Sequence, residues 1–290
     1  MPATQTACDA ALHPFFLDAP SGPVFAVHHR PANHAAWRGH VLCVPPFNEE
    51  MNRCRSMLTM QALALAQIGV GTLVVDLHGT GDSAGHYRDA RWAIWLEDLH
   101  TAYRWLIGQP GGCSGLLGIR LGAILAAELH AELATPHLAL MLWQPVVDGK
   151  IHMNQFMRLR IAAQLDRPNL PKETTASMRA SLADGSTLEV SGYEVHPDLV
   201  RAIDASSLSA SSPVAGTDVL WLEHAAANSP QAPAPSQKVA SQWSSANCSV
   251  ALQTYEGPQF WQMHERVVTP SIIEQTTAWF GGRMAPGGNG

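Results

Sequence analysis

From Ser114 to Leu133 the sequence reads as a short apolar strand that breaks at Gly118-Ile119-Arg120-Leu121-Gly122 and continues at once as a helix. A Gly-x-X-x-Gly turn in that setting is a nucleophile elbow, whose sharp bend lifts its central side chain above the strand end, within reach of a carbonyl carbon. The central residue is normally serine, cysteine or aspartate; here it is Arg120. A guanidinium keeps its protons and has only donors to offer. It cannot attack, but it can clamp a carboxylate or phosphate, or stabilise an oxyanion. The alternative is an ordinary strand-to-helix turn whose glycines serve close packing.

A cation at a helix start opposes the helix dipole, which favours anions there by roughly 0.3–1 kcal/mol. An unpaired ion taken out of water costs several kcal/mol. Arg120 therefore calls for a carboxylate partner or an anionic ligand, and Glu49, Glu50, Asp76 and Asp148 lie on loops expected at the same sheet edge.

A second stretch, Gly81-Asp82-Ser83-Ala84-Gly85, spells Gly-x-Ser-x-Gly with a serine in place. Its surroundings differ. Leu77 to Thr80 separate it from the strand ending at Asp76, and the polar His86-Tyr87-Arg88 follows where a helix should open. The segment reads as a structural loop, because the motif needs its strand–turn–helix context.

The elements that would carry these groups alternate. Phe15–Ala19 and Val24–His29 flank Pro20-Ser21-Gly22-Pro23 as an opening hairpin. Val41–Val44, Thr72–Asp76, Leu116–Ile119 and Leu138–Trp143 are strand-length apolar runs. Met57, Leu58, Leu63, Leu65 and Ile68 sit near helical spacing, with Gly69 as a stop. Asp89 is placed to cap a helix whose apolar face is Trp92, Trp95, Leu96, Leu99, Tyr103 and Leu106. Such alternation means βαβ units. The fold class is α/β: an α/β-hydrolase fold with a mostly parallel central sheet, helices on both faces and a small helical cap. Residues 14–148 and 206–280 form the core and 149–205 the cap; 1–13 and 281–290 are expected as tails. Ser206–Gly216 and Ala225–Gln237 read as surface loops, Val219–Leu222 and Val250–Tyr255 as the last strands, and Thr269-Pro270 as the start of a closing helix that Gly281 ends.

In that fold the backbone N–H after the elbow residue and one from the loop after an early strand form the oxyanion hole. These fall at Leu121 and at Phe47 or Asn48. The acid belongs just past a late strand, where Glu223 stands; its other reading is a strand-end surface charge. The base belongs in the loop after the final strand, where His264 stands, with a helix-surface histidine as the alternative. Trp261 is placed to line the pocket, or to pack in the core.

Composition limits the partners. Over 290 residues the net charge is −6, which disfavours nucleic acid and anionic membranes. Charged residues are 14% against about 25% in an average soluble protein, so much of the chain is internal. Five scattered cysteines without a CxxC pair read as reduced thiols of a cytoplasmic protein. No run reaches the length of a membrane span. The 14 histidines fall in no metal-ligand spacing, and neither metal nor cofactor is expected.

Taken together, Val44-Pro-Pro-Phe-Asn-Glu-Glu-Met-Asn-Arg-Cys-Arg55, the Gly-Ile-Arg-Leu-Gly-Ala elbow, Leu142-Trp-Gln-Pro-Val-Val-Asp-Gly149 and Phe260-Trp261 resemble the second class of exosortase A system-associated hydrolases, over roughly residues 14–280. The resemblance implies an α/β-hydrolase fold, an arginine at the elbow, and a setting of exosortase and exopolysaccharide system proteins as partners. It leaves three expectations. The chain hydrolyses an ester, thioester or other acyl substrate without a serine nucleophile. Or it is a pseudo-hydrolase that binds an anionic ligand. Or Arg120 braces Glu49 or Glu50 and the chain serves as a partner subunit.

Overall fold

The computed structural model describes residues 12–31, 37–164, 172–225, 231–263 and 265–284. The chain opens with the hairpin β1 (Leu12–Ala19) and β2 (Gly22–His29), antiparallel throughout. Then come β3 (Gly39–Val44), α1 (Glu49–Gln67), β4 (Val70–Val75), α2 (Trp92–Ile107), β5 (Cys113–Ile119), α3 (Gly122–Leu133) and β6 (Ala139–Trp143). An excursion follows: α4 (Gly149–Gln164), α5 (Thr175–Ala183), the two-stranded β7 (Leu188–Val190) and β8 (Tyr193–Val195), and α6 (Pro197–Ala205). The chain then closes with β9 (Asp218–His224), α7 (Ala234–Ser245), β10 (Ser249–Tyr255) and α8 (Pro270–Arg283).

Eight strands form one sheet in the order β1-β2-β4-β3-β5-β6-β9-β10. From β4 to β10 every pairing is parallel. Parallel strands covered on both faces must be apolar on both. Accordingly β3 and β6 are buried along their whole length. Two apolar clusters fill the faces. One gathers Trp95, Leu99, Leu125, Leu129 and Trp243; the other gathers Met57, Leu65, Trp143, Phe260 and Phe280.

The topology decides where a ligand can sit. After β3 the chain moves outward to β4, and with β5 it returns to the other side of β3. At such a switch point the loops leaving adjacent strands part, and a crevice opens beyond the carboxyl ends. The loop after β3 and the turn after β5 flank it.

Several boundaries differ from the sequence reading. Leu12 and His13 belong to β1, and Gly281 lies inside α8 rather than ending it. Arg91 is the N-cap of α2; Asp89 instead closes a 3₁₀ turn over Tyr87–Asp89 by accepting from His86 N. The Pro-rich stretch read as a loop to Gln237 turns helical at Ala234, because a proline in the first turn gives up no intrahelical hydrogen bond. The β7–β8 hairpin, three residues a side, is too short for a period-2 pattern to register. Among the described residues no helix is long and apolar enough to cross a membrane.

Candidate functional site

Arg120 stands at the apex of a strained turn. Its φ is 54°, a left-handed conformation that costs an ordinary residue about 1–3 kcal/mol. Neighbouring contacts hold it there: Arg120 N donates to Trp143 O at 3.1 Å, and Arg120 O accepts from Ala123 N and Val146 N. Both flanking glycines are enforced by backbone. A Cβ on Gly122 would lie 2.2 Å from Pro45 O, and one on Gly118 2.6 Å from Ala123 Cα. The elbow is thus pressed against the loop leaving β3. Asn48 (φ 53°) and Gln144 (φ 43°) share the positive φ just past β3 and β6. Three adjacent strands therefore end in strained non-glycine residues at one sheet edge, and strain of this kind clusters at functional sites.

The guanidinium is held on three sides. Nε donates to Glu50 Oε1 at 3.1 Å and Nη1 to Gln144 O at 2.9 Å, while Cζ lies 5.3 Å from the centre of the Trp261 ring. The pair is mostly out of water, its side chains 14% and 18% exposed. Nη2 has no acceptor among the described residues. Burial raises the Glu50 carboxyl above its ordinary range, and the Arg120 charge works against that rise.

Two chambers flank Arg120. The larger, about 630 Å3, is bounded by Phe47, Glu50, Phe156, Leu159 and Trp261; the smaller, about 420 Å3, by Val146, Ile151, Glu223, Pro233 and Val239. Arg120, His152 and Gln155 line both. The roof is α4, whose His152, Gln155, Phe156, Leu159 and Ala163 recur at helical spacing and line the cleft. Burial, reinforced by Arg120, lowers the His152 pKa to about 3 and keeps the imidazole neutral; its Nε2 is buried without a partner among the described residues.

The expected site residues divide. Glu50 meets Arg120, whereas Glu49 pairs with Arg53 one helical turn on. Asp76 binds Arg55 and accepts from Asp82 N. Asp148 accepts from Ile151 N at the start of α4 and lines the smaller chamber. Trp261 is buried against Arg120. Glu223 lies within β9 rather than beyond it, and it is buried, not a surface charge. Its Oε1 accepts from Trp221 Nε1 at 2.8 Å and Ser236 Oγ at 2.6 Å; burial raises its pKa against those bonds and Arg120. The backbone N–H groups of Phe47, Asn48 and Leu121 donate to no backbone carbonyl among the described residues. His264 lies outside the described residues.

Ser83 is occupied elsewhere. Its Oγ donates to Asp76 O and accepts from Phe25 N at 2.7 Å, tying the loop to β2. Nor does Cys54 on α1 supply a thiolate, since burial pushes its thiol well above the ordinary range. Among the described residues no three His, Cys, Asp or Glu side chains are grouped to hold a metal.

Sequence reasoning missed His152, Gln155 and Gln144. His152 and Gln155 are polar positions of a cap helix, and only the position of α4 over the elbow gives them meaning. Gln144 acts through its carbonyl and its side chain, whose Oε1 accepts from His224 N, and no residue pattern marks that role.

No family model matches the chain, and no curated protein matches it. Solved structures do. A thermostable carboxyl esterase from Bacillus coagulans in complex with glycerol is 15% identical with a TM-score of 0.65, over 95% of this chain and 99% of that one. Est1E from Butyrivibrio proteoclasticus with ferulic acid bound is 16% identical with a TM-score of 0.62, over 93% and 97%. An α/β serine hydrolase without a lid from Xanthomonas campestris is 13% identical with a TM-score of 0.53, over 98% and 94%. At these identities the likeness establishes the α/β-hydrolase fold.

Proposed function

We propose, starting from an α/β-hydrolase fold whose elbow carries a cation, that the chain hydrolyses an ester, thioester or other acyl bond with water, not serine, as the attacking group. One observation carries this: Arg120 and the buried Glu223 line the same chamber beside the elbow. The substrate carbonyl oxygen rests on the Leu121 N–H and on Phe47 or Asn48 N–H, with the Arg120 guanidinium beside it. Such preorganised donors stabilise the charge that develops on oxygen. Glu223, whose Oε2 has no donor among the described residues, takes a proton from a water. The water oxygen bonds to the carbonyl carbon and an oxyanion forms. The carbon–oxygen or carbon–sulfur bond then breaks, and the leaving alcohol or thiol departs with the proton from Glu223.

The motif resemblance supports a role among exosortase and exopolysaccharide system proteins, and the scattered cysteines without a CxxC pair support a cytoplasmic one. A second reading is favoured by Nη2 of Arg120, a donor at the cleft with no acceptor among the described residues. In that reading the cleft holds an anionic ligand without turning it over.

Short-chain p-nitrophenyl esters and acyl-CoA thioesters separate the two. Turnover lost in both Arg120→Ala and Glu223→Gln supports hydrolysis. Turnover untouched by either variant contradicts it. No turnover, with saturable thermal stabilisation by an anionic ligand that Arg120→Ala removes, supports the second reading.

A further inference from the structure

Where β6 meets β9 the sheet ends in an exchange of acceptors. The two strands run parallel and in register from Leu140↔Val219 to Trp143↔Leu222. In a parallel ladder a residue gives its N–H to one residue of the neighbouring strand, and its carbonyl accepts from the residue two further on. Gln144 keeps the first half of that pattern, its N donating to Leu222 O at 2.8 Å. The second half calls for its carbonyl to accept from His224 N. That N–H goes instead to the side chain of Gln144, to Oε1 at 2.6 Å. The backbone, at φ 43°, turns the carbonyl out of the ladder, and its oxygen accepts from Arg120 Nη1 at 2.9 Å.

We infer that Gln144 is a positioning residue whose side chain replaces its own carbonyl in the sheet, freeing that carbonyl to hold the elbow guanidinium. Its bonds to Leu222 and His224 bracket Glu223, so one residue ties together both groups of the proposed hydrolysis. All three side chains line the smaller chamber. The role needs an acceptor oxygen at the end of two methylenes, which glutamine and glutamate carry and leucine lacks. Without it the carbonyl must return to His224 N, and Arg120 loses an acceptor. The effect on rate rests on the proposed hydrolysis; the exchange of acceptors does not.

Gln144→Leu and Gln144→Glu test this in the whole chain, by ester turnover and by NMR of isotope-labelled arginine side chains. The Arg120 signals are those that Arg120→Ala removes. The native chain is expected to show a separate, slowly exchanging Nη1–H beside the Nε–H that Glu50 holds. Gln144→Leu loses the Nη1 signal and keeps the Nε one. Its melting temperature changes little, because the returning carbonyl satisfies His224 N. Its kcat falls by about tenfold to a hundredfold, as expected of a misplaced group, with KM little moved. Gln144→Glu keeps the Nη1 signal and most of the turnover. A purely structural brace predicts the opposite for Gln144→Leu, a lower melting temperature with both Arg120 signals intact. No separate Nη1 signal in the native chain overturns the inference. So does one that survives Gln144→Leu or is lost equally in Gln144→Glu, and so does a Gln144→Leu chain that fails to fold. The expected signals in a chain without ester turnover keep the inference and remove the hydrolysis. Turnover and an Nη1 signal that Gln144→Leu both leaves unchanged do the reverse.

Discussion

The turns at Gly118–Gly122 and Gly81–Gly85 both spell Gly-x-X-x-Gly, and they share little else. At Gly118–Gly122 the glycines are pressed against backbone, at Ala123 Cα and Pro45 O, and the apex residue is left-handed and borders the cleft. At Gly81–Gly85 the glycines face side-chain tips, Asp76 Oδ2 and His78 Nε2, and the serine is hydrogen-bonded to backbone on both sides. The first turn is built to present a side chain, the second to pin a loop. A residue pattern alone ranks them the wrong way round, because the serine sits in the pinning loop.

The contrast can be broken most strongly at the glycines. Gly122→Ala drives a methyl into the β3 loop backbone and is expected to destabilise by about 3 kcal/mol or more, while Gly85→Ala, strained but facing a side chain, loses less. Urea midpoints compare them; equal losses would erase the distinction. Next in size is Arg120→Ala. It abolishes turnover and leaves the Glu50 carboxyl, mostly out of water, without its donor, for a stability loss of about 1–3 kcal/mol. Glu50→Gln in the same chain should recover part of that stability but none of the activity.

Ser83→Ala sharpens the contrast from the other side. Losing both backbone hydrogen bonds lowers stability by about 1–2 kcal/mol, and the activity of each folded molecule is unchanged. The smallest effect is the pH response of the roof. The His152 pKa is about 3 in the fold against 6.5 when exposed. The unfolded chain therefore takes up the proton as pH falls through 6.5. Stability present above that value is lost toward pH 3, by less than about 1 kcal/mol between pH 7 and pH 6. His152→Phe should reduce the slope of the melting temperature over that window, leaving the share of His28, His29, His40 and His130, whose pKa values burial also lowers.

The parts legible in the sequence were local. The elbow, its glycines and the alternation of strands and helices depend on neighbours in the chain, so pattern and period reveal them. That Glu223 stands at the same sheet edge as Arg120 was legible because the ends of parallel strands share an edge. The choice of Glu50 over Glu49 was not legible: both open α1, and only the helix's rotation turns one toward Arg120 and the other toward Arg53. The roof was also hidden, since α4 gains its role by lying across an elbow some thirty residues earlier. Pro233 and Pro235 marked a loop to the eye yet begin a helix, and Gly281 marked an end yet lies within one.

The central claim is that a guanidinium occupies the place of the attacking atom, so that no covalent intermediate forms. Intact-mass measurement after exposure to a fluorophosphonate tests it most directly. The account predicts an unmodified chain that still turns over its ester. A stoichiometric adduct on Ser83, or on any other serine, with activity lost in step, would contradict it.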